Sequence, residues 1–148
     1  MTAPTTIREY DISAQSTPIF GRVLCSARNH HFIVDGPVQN GCPGEELTPP
    51  ELLLTAVASC GVELIHVIAK EEGKKVGTVE IRIHGVVDRG NQKRQDVTTF
   101  TRMELDFLFT GTDSVTANAL ADGFKRRCPI FGSMFVATTE TVSRVTVR

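Results

Sequence analysis

The sequence predicts an α+β fold with antiparallel sheets around one long central helix that carries a cysteine. Three observations predict it. A 26-residue stretch, Thr48–Gly73, reads as a helix and is mostly apolar. On both sides of it, short segments change to the two-residue alternation of strands. Those segments come in blocks joined by tight turns rather than alternating one by one with helices, the pattern of α+β and not of a parallel α/β sheet.

In chain order, residues 1–6 read as a loose tail. Ile7–Ile12 and Ile19–Ser26 are expected strands, with a turn at Gln15–Pro18 between them. His31–Asp35 is a third, closed by Gly36-Pro37, and Asn29 suits a tight turn that would pair it with the second. Val38–Leu47, with two glycines and a proline, is a loop. Thr48 then offers an N-cap, Thr48-x-x-Glu51 a capping box, and Gly73 a left-handed stop for the helix. At about 100° per residue, Leu53, Leu54, Val57, Ala58, Leu64, Ile65 and Ile68 fill one broad arc of that helix. Ser59, Glu63, His66 and Lys70 gather opposite, and Cys60 sits at the seam. So wide an arc suits a helix at the centre of a fold or of a dimer.

Val79, Ile81, Ile83 and Val87 alternate with polar residues as a half-buried strand. Asp88–Asp96 is a surface loop, and Thr101–Phe109 alternates again as an antiparallel partner. Asp113 or Ser114 can cap a second helix, Val115–Arg127, with Ala117, Leu120, Ala121 and Phe124 on one face. Cys128-Pro129 breaks it and can open a short third helix. Val136–Val147 is rich in Thr and Val, a last strand. No repeat or linker interrupts the chain, so residues 1–148 read as a single domain.

Composition narrows the function classes. A net charge of −1 with 22% charged residues gives no field of one sign that would draw nucleic acid or an anionic membrane. The apolar run is broken by Glu63 and His66, which argues against a transmembrane span, and no secretion signal opens the chain. The expected location is the cytoplasm, where Cys25, Cys42, Cys60 and Cys128 stay reduced. No CxxC pair suggests zinc, and adjacent His30 and His31 would point to opposite faces of a strand, so no metal or cofactor is expected. The phenylalanines at 100, 107, 109, 124, 131 and 135 are candidates for the core, with a few able to line an apolar pocket.

Three stretches carry a family resemblance: Pro49–Cys60 (PPELLLTAVASC), Cys128-Pro129, and Phe32–Pro37 (FIVDGP). Their order and spacing make the chain similar to the OsmC/Ohr family, the osmotically inducible and organic-hydroperoxide-resistance proteins, and in particular to its OsmC-like branch. The resemblance implies an intertwined α+β homodimer with the Cys-bearing helices in its core. It implies a thiol peroxidase that reduces organic or small hydroperoxides in oxidative-stress defence. Cys60 would be the peroxidatic cysteine, Cys128 the resolving one, and an external dithiol, a lipoyl protein in many members, the reductant.

Attack on a peroxide needs a thiolate, and an ordinary thiol has a pKa of about 8.5. Cys60 lies some three turns past the helix start, where the helix-end field has decayed. A cation must therefore help, and Arg22 or Arg28 on the preceding strands could supply it; position in the OsmC-like branch favours Arg28. Cys128 could cap a helix, with Lys125, Arg126 and Arg127 just upstream. The plainer readings are a buried hydrophobic Cys60 and a basic helix end. One departure stands out. The position ten residues before the cysteine, where the peroxidase branch has a glutamate, is Pro50, and Glu51 is one residue and about 100° away. That favours a capping role for Glu51 and keeps open a dimeric stress or ligand-binding protein with weak or no peroxidase activity. Glu63 and His66 could tune the thiol or simply form a polar seam.

Overall fold

A computed structural model describes residues 6–138 and 140–148. The expected tail at 1–6 falls outside these residues except for its last one. The chain divides into two compact units, 1–52 and 53–148.

The first unit is an antiparallel sheet of β1 (Ile12–Ser16), β2 (Arg22–Ala27) and β3 (His30–Asp35), in that order. The first strand begins where Ile7–Ile12 was expected to end. Pairing decides this: Ile12 faces Ala27 and Ser16 faces Val23, and residues 7–11 form no strand. The second strand likewise starts at Arg22 rather than Ile19. The Thr17 hydroxyl accepts from the Ile19 N–H at 3.2 Å and donates to the Arg22 carbonyl at 3.0 Å, folding residues 17–21 into a turn that displaces the one expected at Gln15–Pro18. A two-residue turn joins β2 to β3, and its left-handed residue is Arg28, at φ 55°, not Asn29.

After β3 the chain forms a 3-10 turn, Val38–Asn40, then packs Cys42 against two glycines. A Cβ on Gly21 or Gly36 would lie 2.7 or 2.9 Å from the Cys42 Cβ and closer still to its sulfur, so both positions need glycine. Val34 and Asp35 are the buried residues among those described in this unit. Helix α1 (Pro49–Glu71) starts at its end. The Glu51 carboxylate accepts from both the N–H and the hydroxyl of Thr48, each at 2.7 Å. At the other end Gly73, at φ 64°, closes α1: the Lys74 N–H bonds to Ala69 and the Gly73 N–H to Lys70.

The second unit holds most of α1, the strands β4 (Val79–Val86), β5 (Arg102–Phe109) and β6 (Glu140–Val147), and the helices α2 (Ser114–Arg127) and α3 (Pro129–Ala137). Strand β5 is central, and its inward residues Met103, Leu105, Phe107 and Phe109 are buried as their alternation requires. It pairs antiparallel with β4 but parallel with β6. The expected antiparallel pairing holds for β1 with β2, β2 with β3 and β4 with β5, and the pair β5–β6 departs from it. The two helices between β5 and β6 carry the chain back to the start of the sheet, the crossover that a parallel pair needs. The last strand starts at Glu140, because Val136 and Ala137 complete α3.

Helix α2 is capped by Asp113, whose side chain accepts from the Thr116 N–H, and buries Ala117, Leu120, Ala121, Gly123 and Phe124. Helix α1 buries Val57, Gly61, Ile65, Ile68 and Ala69, with Ser59, Glu63, His66 and Lys70 exposed as its arc predicts. With a mean hydropathy of 2.0 over 18 residues, α1 is long and apolar enough to cross a membrane by length and composition alone, and 28% of that window is buried within the chain.

Candidate active site

Cys128 owes its position to the break between two helices. Its N–H bonds to the Phe124 carbonyl at 2.9 Å and ends α2, and its sulfur accepts from the Phe131 N–H at 3.3 Å and opens α3. Pro129, which lacks an N–H, fits the first turn of the new helix. The residue is thus a C-cap and an N-cap at once, and it is 3% exposed. A helix N-terminus stabilises negative charge on a group placed there.

Cys60 comes to it on α1. The next residue, Gly61, explains how close α1 can approach. A Cβ at Gly61 would overlap Ile81 Cδ1 and stand 3.2 Å from the Phe124 ring, so a larger residue would lift the helix or push its neighbours aside. The result is a contact between the two thiols, Cys60 Sγ and Cys128 Sγ, 2.6 Å apart. The expected meeting of these two cysteines is what the fold delivers, and both are free thiols.

The electrostatics run against ionisation of Cys60. Burial, then the hydrogen bond and charge of Cys128, then the charge of Glu63 one turn on, push its thiol from 9.0 up to about 12. Among the described residues of its own unit, no lysine or arginine is one of the groups acting on it. The basic end of α2 is largely engaged elsewhere. Lys125 donates to Ser143 at 2.8 Å and to Asp122 at 3.3 Å, and Arg127 pairs with Glu71 at 2.6 Å.

The two arginines named from the sequence lie in the first unit. Arg28 occupies the exposed hairpin turn. Arg22 is held by two carboxylates: Asp35 takes its Nε and Nη2 at 2.8 Å each, and Glu45 takes Nη2 at 2.6 Å. Asp35, 0% exposed, also accepts the N–H groups of Glu45 and Glu46 at 3.0 and 3.1 Å. The Arg22 guanidinium, with those N–H groups, holds the Asp35 carboxyl well below the usual carboxylate range. Sequence reasoning missed this knot and the role of Gly61. A clue to the first was available in the FIVDGP stretch, where a carboxylate ends a strand of apolar residues.

Glu51 is spent on Thr48, which lowers its carboxyl through those two hydrogen bonds. His66 and Glu63 are exposed. Among the described residues no three His, Cys, Asp or Glu side chains converge as metal ligands; His31 instead bonds through Nδ1 to the Ser26 hydroxyl at 2.8 Å.

The family model for OsmC-like proteins matches residues 42–142, well over half of the chain. The chain belongs to the OsmC-like family. Solved structures agree on the fold. An OsmC-like protein from Mycoplasma pneumoniae is similar with a TM-score of 0.80 at 14% identity, over 95% of this chain and 97% of that one. An organic hydroperoxide resistance protein from Legionella pneumophila gives 0.77 at 16%, over 97% and 100%. An organic hydroperoxide resistance protein from Elizabethkingia anophelis gives 0.77 at 16%, over 97% and 99%. No curated protein matches. The α+β fold of two small sheets and three helices is therefore that of OsmC-like structures.

Proposed function

We propose that this OsmC-like protein is a thiol-dependent hydroperoxide reductase, working as a homodimer in the reducing cytoplasm. The observation that carries the reading is the 2.6 Å contact between Cys60 and Cys128. In the first step the Cys60 thiolate attacks the outer oxygen of ROOH. The O–O bond breaks, the sulfur becomes a sulfenic acid, and the alkoxide leaves with a proton as ROH. Cys128 then attacks that sulfur, forming the Cys60–Cys128 disulfide and releasing water. A dithiol, such as a lipoyl group, returns both cysteines to thiols and is itself oxidised to a disulfide. The contact distance supports the second step without any large rearrangement.

The first step needs a thiolate that burial and Glu63 oppose. Arg28 is our candidate for the compensating cation, because Arg22 is already neutralised by Asp35 and Glu45. Dimerisation is supported by the unburied apolar surface of the first unit, including Phe20 at 75% exposure, and by the low burial of α1. Stopped-flow consumption of cumene hydroperoxide with a dithiol tests the reading. Wild type should turn over and Cys60→Ser should not; equal, near-zero rates would refute it.

A second reading has specific support. Pro50 stands where the peroxidase branch has a glutamate, and Glu51 is tied to Thr48. Together with the raised Cys60 thiol, these features fit a dimeric stress or ligand-binding protein with little turnover. Low reactivity of Cys60 toward iodoacetamide near neutral pH, in the assembled protein, would favour it.

A further inference from the structure

Strand β6 turns Thr141, Ser143, Val145 and Val147 to one face, as the two-residue period of a strand requires. Val145 and Val147 pack against the core, but Ser143 stays exposed, so the start of this face is left uncovered. There a groove of about 300 Å³ opens, lined from β6, the end of α2 and α3. Phe131 and Phe135 form its apolar wall. Their rings stack with centroids 5.8 Å apart and 26° between the planes, and Phe135 is 54% exposed. Neither Cys60 nor Cys128 lines the groove, so it is separate from the thiol pair.

Two of its lining residues have no role in holding the fold. One is Gly132, in the interior of α3, where a glycine costs helix stability relative to alanine. A Cβ added at Gly61 or Gly123 would come within 2.4 or 3.1 Å of an isoleucine methyl, whereas at Gly132 it would meet nothing within 4 Å. Packing within the chain therefore does not require this glycine. What its bare backbone provides is room in the groove. The other is Arg126. Its neighbours Lys125 and Arg127 are paired with Asp122 and Glu71, but Arg126 is exposed and makes no hydrogen bond or ion pair among the described residues.

The remaining polar groups of the lining also offer donors. Lys125 Nζ donates to Ser143 Oγ at 2.8 Å, which leaves the Ser143 O–H free to donate in turn. The Thr141 hydroxyl has no partner among the described residues. Among those residues no carboxylate lines the groove. We infer that this groove binds a small aromatic carboxylate, with its ring laid against Phe135 beside Gly132 and its carboxylate held by the Arg126 guanidinium. Charge complementarity selects the anion, because two cations and two hydroxyls line the site with no acid to answer them. The exposed aromatic wall selects the ring. The volume is at the lower end of the range of about 300–1,000 Å³ typical of small-molecule sites, which fits one ring with a short acidic arm.

Phenylacetate and phenylacetamide, alike in shape and different in charge, test it. Amide chemical shifts of the reduced full-length protein are followed on titration with each, for wild type, Arg126→Met and Gly132→Leu. Arg126→Met keeps the apolar stem and removes only an unpaired charge, so the fold survives. Phenylacetate should saturate and shift the amides of Gly132, Phe135 and Thr141. Its affinity should fall roughly tenfold in Arg126→Met, the size of one charge-assisted hydrogen bond, while the weaker binding of phenylacetamide stays as it was. Gly132→Leu places a side chain in the open space and should weaken both probes. Equal phenylacetate affinity in wild type and Arg126→Met would overturn the inference, as would phenylacetamide binding as tightly as the anion. So would the absence of saturation by phenylacetate, shifts centred on Cys60 and Cys128 instead of the groove, or groove shifts that follow protein concentration, which would make it a contact between copies.

Discussion

Replacing Gly61 tests how the thiols are brought together. An alanine Cβ there overlaps the tip of Ile81 and reaches 3.2 and 3.3 Å from two atoms of the Phe124 ring. The Ile81 methyl is the end of a flexible side chain and can turn away, whereas Phe124 is fully buried against Phe107 and Phe131 and cannot. Overpacking of this kind costs about 1–3 kcal/mol. Gly→Ala within a helix returns about 1 kcal/mol. The net loss for Gly61→Ala is about 1 kcal/mol, or a fall in Tm of about 3 °C for a chain of this length. Gly61→Val adds two methyls and lacks most of the helix-propensity gain, so it should lose about 3 kcal/mol. Thermal unfolding by circular dichroism reads the stability. The rate of Cys60–Cys128 disulfide formation with diamide reads the geometry, and it should fall in the order Gly, Ala, Val. Variants as stable and as readily oxidised as wild type would refute the claim that Gly61 sets the approach of α1.

Three further outcomes follow from the charges and the backbone. Glu63 raises the Cys60 thiol, so Glu63→Gln should speed its alkylation by iodoacetamide at fixed pH in a Cys25, Cys42 and Cys128 to Ser background; an unchanged or slower rate would contradict that. The Asp35 carboxyl is lower in the folded chain than its ordinary 3.8, so its contribution is present above that value and is lost as the pH falls below it. Cleavage of the segment between β3 and α1 by pepsin should therefore rise progressively as the pH falls below about 4, and Asp35→Asn should expose the same segment to a Glu-specific protease, at Glu45 and Glu46, at neutral pH. Arg28 holds a left-handed conformation that costs a non-glycine residue about 1 kcal/mol, so Arg28→Gly should raise stability by that amount in urea unfolding. The same variant should lose peroxide turnover if Arg28 supplies the activating charge; full turnover would remove it from the mechanism.

The elements that local pattern controls were legible. The alternation of β5 and the buried face of α2 follow from spacing alone, because each element has one face to bury; of the arc expected on α1, Val57, Ile65 and Ile68 are buried, Leu54, Ala58 and Leu64 are half-buried, and Leu53 is exposed. The caps at Thr48, Asp113, Cys128 and Gly73 were legible for the same reason, since their partners lie within a few residues. What the spacing could not give depends on distant chain. The start of β1 is set by its pairing with β2, and the direction of β6 by two intervening helices. The bond from Arg22 to Asp35 spans 13 residues and the bond from Arg22 to Glu45 spans 23, so neither residue type alone announced them. Of the site, the pairing of Cys60 with Cys128 was legible through family likeness. The glycine that lets α1 come close was not, because a small residue beside a cysteine has no periodic signature.

The most direct test is the mass of the reduced protein after one equivalent of cumene hydroperoxide under nitrogen. The account predicts a loss of about 2 Da, the two hydrogens given up on disulfide formation, with peptide mapping that joins Cys60 to Cys128 and one equivalent of cumyl alcohol released. An unchanged mass with the hydroperoxide intact, or a disulfide that joins any other pair, would contradict it.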